Sequence, residues 1–165
     1  MKRLVLVRHA KSSWSDPSAA DFDRKLNKRG KRDAPFMAEK LAERDIRADL
    51  IIASPAKRAK KTAKHMAKAI NYESSKIYYT EDAYSFAAPD LFEIIRKIDD
   101  KNEEVLFVGH NYGLTDFGEQ LTGETLLNIP TAGIVCMTCQ IPSWSEIQPG
   151  CATLKFFDYP KKYLK

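Results

Sequence analysis

No apolar run in this 165-residue chain approaches the ~20 consecutive positions that cross a bilayer. Met1-Lys2-Arg3 leads straight into Leu4-Val5-Leu6-Val7, a stretch too short for a signal-peptide core, so the expected address is the cytoplasm. Cysteine is scarce. Cys136, Cys139 and Cys151 are an odd number in a chain without secretory features, which argues against a disulfide framework and for reduced thiols. Glycine and proline are few, 7 and 8, which excludes collagen-like and low-complexity classes. No internal repeat and no Gly/Ser linker interrupts the pattern, and residues 1–165 read as a single domain.

What is present is an ordinary globular composition, 44% hydrophobic and 30% charged, in a chain long enough to bury a core without staples. Lys and Arg number 27 against 22 acids, a net charge of +5 that favours anionic partners. Short branched apolar runs, Leu4 to Val7, Leu50 to Ala53 and Val105 to Val108, have the continuity of strands covered on both faces of a largely parallel sheet. Further strands are expected near Lys76 to Tyr79, Ile134 to Gln140 and Thr153 to Phe157. Helical spacing runs between them. Ser54 reads as a cap with Pro55 at the first helical position, followed by Ala59, Ala63, Met66, Ala67 and Ile70. Asn27 reads as a second cap ahead of Ala34, Met37, Ala38 and Leu41, with Pro35 blurring that helix's start. Asp90 to Ile98 and Leu114 to Leu121 complete the helices. The alternation predicts an α/β fold, a three-layer α/β/α sandwich around a largely parallel mixed sheet.

Polar residues gather where the apolar runs end. The first run delivers Arg8 and His9, the third delivers Gly109, His110 and Asn111, and the second leads to a helix whose first turns hold Arg58. Ligands of open α/β sheets bind beyond the carboxyl ends of the strands, so these segments are placed to share one crevice. A cation near a helix amino end opposes the macrodipole unless an anion is close, which suits Arg58 to a phosphate. Arg24, in a polar loop, offers another guanidinium. A neutral imidazole attacks phosphorus once the oxygens' charge is neutralised, and a second one can hydrogen-bond those oxygens. Neither a metal nor a cofactor is needed for that chemistry.

Arg8-His9-Ala10, Ser54-Pro55-Ala56-Lys57-Arg58-Ala59 with Thr62-Ala63, and Gly109-His110-Asn111 together resemble the histidine phosphatase superfamily, the phosphoglycerate mutase-like proteins. The short length, the segment from Asp21 to Gly30 and Thr131-Ala132-Gly133 are similar to SixA-type phosphohistidine phosphatases. The resemblance implies a phosphoglycerate mutase-like fold, His9 as nucleophile through a transient phosphohistidine, and Arg8, Arg58, His110 and Arg24 around the phosphoryl group. It also implies a general acid in the middle third, for which Glu81 is the candidate and Asp82 its neighbour. Ala10 stands where the family usually has Gly, which matters only if the position needs a positive φ. The expected substrate is a phosphohistidine-bearing protein or a small phosphoester.

Other readings compete. The lysines from Lys57 to Lys68 could serve a nucleic-acid module, but no aromatic-interleaved basic motif accompanies them, and a solvated face or an acidic protein partner fits as well. Cys136 and Cys139 form a lone C-x-x-C in a β-rich run, where residues three apart face opposite ways. His65 lies among the lysines and carries no functional reading.

Overall fold

The computed structural model describes residues 1–164. Six strands, β1 (Lys2–Arg8), β2 (Leu50–Ala53), β3 (Tyr78–Tyr79), β4 (Glu104–Gly109), β5 (Ile134–Cys139) and β6 (Ala152–Asp158), form one sheet in the order β3-β2-β4-β1-β5-β6. The β1–β4, β2–β4 and β2–β3 pairs are parallel, whereas β1–β5 and β5–β6 are antiparallel. The helices are α1 (Lys28–Glu43), α2 (Lys57–Ala69), α3 (Ala88–Arg96), α4 (Gly113–Thr122) and the short α5 (Pro160–Tyr163). Among the described residues no helix is long and apolar enough to cross a membrane.

Why the strands read as unbroken apolar runs is plain from the two cores. Val5, Val7, Ile51, Ala53, Leu106 and Val108 pack with α1 and α2, while Leu4, Leu6, Ile52, Val105 and Phe107 pack with α3 and α4. Both faces of the sheet are covered, so both registers of each central strand must be apolar. Burial of each such side chain contributes on the order of 1.5–3 kcal/mol. Cys136 and Cys139 are both buried and fall into opposite cores, as their strand spacing predicts.

Asn27 caps α1, its side chain accepting from the amide of Gly30 at 2.8 Å, and the helix runs through Pro35 to Glu43. Two expectations need correction. Helix α2 starts at Lys57, two residues later than its Ser-Pro signal, with Ala56 at the cap and no side chain capping it. Of the Lys76 to Tyr79 run, only Tyr78 and Tyr79 pair with β2, and Ser74–Lys76 coil into a 3-10 turn. That strand lies at the sheet edge and its neighbour β2 is itself four residues long, so few ladder bonds are on offer.

Gly30 is where the loop after β1 presses on α1. A Cβ there would overlap the carbonyl oxygen of Lys11, which also accepts the Asn27 amide at 3.0 Å. Alanine normally favours a helix over glycine by about 1 kcal/mol. Here the backbone clash dominates, and Gly30→Ala is expected to destabilise the fold by about 2 kcal/mol in urea unfolding.

Candidate active site

The carboxyl end of β1 is held on both sides. The Arg8 amide donates to Gly133 O at 3.0 Å and the His9 amide to Gly109 O at 3.1 Å, so the residues that leave the sheet here have fixed backbones. Next, the Ala10 amide donates to Thr62 Oγ1 at 3.0 Å, and that hydroxyl donates to Arg58 O at 2.8 Å. Through Thr62 the β1 loop and α2 are tied one turn from Arg58. Ala10 does not have positive φ, which explains why alanine is accommodated in place of glycine.

His9, Arg58 and His110 meet in the interior, at 7%, 2% and 1% exposure. The imidazole centroids of His9 and His110 are 5.1 Å apart. His9 Nδ1 lies 2.7 Å from the Ala10 carbonyl, an acceptor, so Nδ1 carries the proton. Its Nε2 therefore keeps the lone pair, and Arg58 Nε donates toward it at 3.3 Å. His110 Nδ1 accepts from Arg58 Nη2 at 3.4 Å, which places the other proton on Nε2, donating to Ser54 Oγ at 2.8 Å. Burial pushes the His9 pKa well below the usual imidazole value, and the neighbouring His110, Arg58 and Arg8 reinforce it against the Ala10 bond. Burial, helped by Arg58, lowers His110 to about 3. Both rings are neutral at pH 7.

Arg8 reaches the same place from β1. Its Nη1 donates to Ile129 O at 2.9 Å, and its buried Nε has no hydrogen-bond partner among the described residues. The amino end of α2 has no side-chain cap and carries Arg58 in its first turn, close enough for its charge to act on Arg8, and helix amides plus a buried guanidinium suit an oxyanion. Arg24 joins through an acid that motif reading leaves unremarked. Asp21 accepts from Arg24 Nη1 at 2.9 Å, from Arg58 Nη2 at 2.9 Å and from the Tyr84 hydroxyl at 2.5 Å, and its carbonyl accepts from Arg58 Nη1 at 2.6 Å. Partial burial pushes the Asp21 carboxyl up, but Tyr84 and Arg58 outweigh it and hold it at about 2. Arg24 is further fixed by the Ser12 hydroxyl and by Trp14, whose ring lies 3.4 Å from the guanidinium carbon.

The structure thus brings together His9, Arg8, Arg58, His110 and, by way of Asp21, Arg24. Glu81 is placed differently. It is exposed in a 3-10 turn and lines, with Asp82, Tyr78 and Leu50, a groove of about 950 Å³, and it makes no side-chain bond to the cluster among the described residues. The same turn sends Tyr84 into the site instead, to Asp21 and edge-on to His110. Ser54, expected as a helix cap, accepts the Ala56 amide at 3.2 Å in the turn before the helix and bonds His110 through the same oxygen. Among the described residues no three His, Cys, Asp or Glu side chains group as a metal site.

Residues 4–82 match the family model of the histidine phosphatase superfamily (branch 1). A chloroplastic protein of Arabidopsis thaliana is 32% identical over 153 residues, covering 88% of this chain and 70% of its own. The chain belongs to the histidine phosphatase superfamily. Within it, the crystal structure of a SixA protein from Agrobacterium tumefaciens, presented there as a phosphohistidine phosphatase, superposes with a TM-score of 0.82 at 29% identity, covering 96% of this chain and 98% of that one. A tungstate complex of the protein histidine phosphatase SixA shares the fold, with a TM-score of 0.81 at 19% identity over 97% of this chain and 98% of that one. This histidine phosphatase is therefore a phosphatase of SixA-like fold.

Proposed function

We propose that this histidine phosphatase hydrolyses phosphohistidine in a protein, with His9 as the nucleophile. The observation that carries the reading is the pinned His9 tautomer: Nδ1–H is committed to the Ala10 carbonyl, and Nε2 faces the guanidinium of Arg58 with its lone pair. In the first step a bond forms from His9 Nε2 to phosphorus as the bond to the substrate's imidazole nitrogen breaks, and that nitrogen takes up a proton from water. In the second, a water oxygen bonds to phosphorus as the phosphorus–Nε2 bond breaks, the electron pair returns to His9 Nε2, the water gives one proton to the hydroxide left by the first step, and inorganic phosphate leaves. Arg8, Arg58 and Arg24 neutralise the phosphoryl oxygens, and His110 hydrogen-bonds them through Nδ1–H once its proton moves from Nε2, which then accepts from the Ser54 hydroxyl.

An imidazole leaves more readily than an alkoxide, so the scheme assigns no strong acid and gives Glu81 no role in phosphohistidine turnover. Between α2 and β4 the chain supplies only β3, α3 and short turns, and no long lid that would enclose a small metabolite. The fold match to a SixA protein above supports the same substrate class. The test is turnover of a histidine-phosphorylated protein against phosphoserine and phosphoglycerate, all with chelator. Preference for the phosphoprotein is expected; preference for a small ester would assign the same residues to a small-molecule phosphatase.

Acid tolerance follows from the burial of His9. The nucleophile must be neutral, and its pKa lies well below 6.5, so lowering the pH through 6.5 leaves it unprotonated. Once corrected for substrate ionisation, kcat/KM on 4-nitrophenyl phosphate is expected to stay level from pH 7.5 to below 6.5 (roughly the range where free imidazole titrates). An acid limb centred at or above that value would contradict a buried, neutral His9.

A further inference from the structure

Leu127 is 81% exposed and has φ of +62°, a backbone region that bulky L-residues avoid. Exposure of a large apolar side chain and a left-handed backbone are both unfavourable, yet the turn is built to enforce them. Glu119 Oε2 accepts the amides of Leu126 and Leu127 at 2.6 and 2.9 Å, and the Asn128 amide donates to Leu126 O at 2.7 Å. Leu126 is buried against Gly118, so the tip is anchored from inside while Leu127 is held outward.

This tip adjoins the phosphoryl site. Asn128 accepts from Asn111, the residue after His110, at 2.6 Å, and Ile129 O accepts the Arg8 guanidinium. Two residues of chain, at most about 7 Å, separate Leu127 from that carbonyl. Around the same site stand other exposed apolar groups. Tyr112 is 61% exposed next to Asn111, the Phe86 ring lies tilted with its centroid 5.1 Å from that of His110, and Trp14 lies on Arg24. Isolated exposed apolar residues mean little, but several around one polar pit mark a contact surface.

We propose that Leu127 is the central contact for the folded protein that carries the phosphohistidine, meeting apolar side chains that flank the modified residue. The inference rests on the substrate reading above. A phosphoryl group seated on His9 brings its carrier over this rim, and the rim is continuous with the site. A small ester fills the guanidinium cradle and leaves Leu127 in water, whereas a protein surface covers it. The turn then holds Leu127 out in advance, which lowers the ordering cost of docking.

The test is Leu127→Asn, because asparagine tolerates the left-handed backbone and keeps the turn. The substrates are a carrier protein phosphorylated on histidine with phosphoramidate, and 4-nitrophenyl phosphate. For the carrier, KM is expected to rise about tenfold with kcat unchanged, the effect of losing one buried apolar anchor. For the ester, both constants stay as in wild type, and Leu127→Met restores the carrier's KM. If wild type dephosphorylates the carrier and Leu127→Asn does so equally well, docking at Leu127 is wrong and the substrate reading stands. If wild type turns over the ester but leaves the carrier phosphorylated, the substrate reading fails and the docking surface with it. Equal losses on both substrates would make Leu127 a structural residue and overturn the proposal.

Discussion

Replacing His9 with alanine is expected to remove turnover almost entirely, with kcat falling by about 10⁶-fold, the scale seen when a nucleophile is deleted from an enzyme whose remaining groups still bind substrate. Arg58 donates to both imidazoles, to His9 Nε2 at 3.3 Å and His110 Nδ1 at 3.4 Å, and His9 is the one assigned the attack because it leaves the end of β1 next to Arg8. Alanine leaves Arg8, Arg58 and Arg24 in place, so phosphate binding should survive where chemistry does not. Rapid quenching of the wild type into alkali, followed by mass spectrometry, should find a phosphoryl group on His9 during steady turnover, and none in the variant. A wild type that never carries the adduct, or an alanine variant with more than a trace of activity, would refute covalent catalysis at this position.

Loss of Arg58 should come second in size. Its guanidinium touches His9 Nε2, His110 Nδ1 and Asp21 at once, from a position 2% exposed at the start of α2. Arg58→Ala is expected to lower kcat/KM by about 10³–10⁴-fold, as removal of a buried, charge-matching donor aimed at a phosphoryl group should. Arg58→Lys keeps the charge but not the planar fork, and cannot hold both imidazoles and Asp21 together. A loss of at least about 10²-fold is expected for lysine too. Circular dichroism melts on both variants separate this from unfolding. Near-normal turnover by the lysine variant would show that charge alone suffices.

Much of this site was legible from the chain. Strand ends are where open α/β sheets bind ligands, so Arg8, His9 and His110 announced themselves by following Leu4 to Val7 and Val105 to Val108. Arg58 was legible as a cation in the wrong half of a helix. The start of α2 was misread because Ser54 Oγ does take a local amide, that of Ala56, but does so in the turn before the helix, while the same oxygen also bonds His110. Asp21 and Tyr84 were illegible for a related reason: a loop acid and a loop tyrosine gain meaning only when the fold sets them 2.5 Å apart against Arg58. Leu127 offers no sequence signal either, since its backbone angle and exposure come from Glu119, which binds the loop from α4.

The position of β1 has a consequence in time. It pairs along its length with β4 on one side and β5 on the other, and the amides of Arg8 and His9 close the last rungs. Exposing that backbone requires unzipping two ladders together, an event as rare as unfolding the whole molecule. Perimeter turns lie outside those ladders, so their side chains can be exchanged without opening the sheet. Natural variation could therefore retune which carriers are accepted by altering the perimeter while the chemical seat stays unchanged.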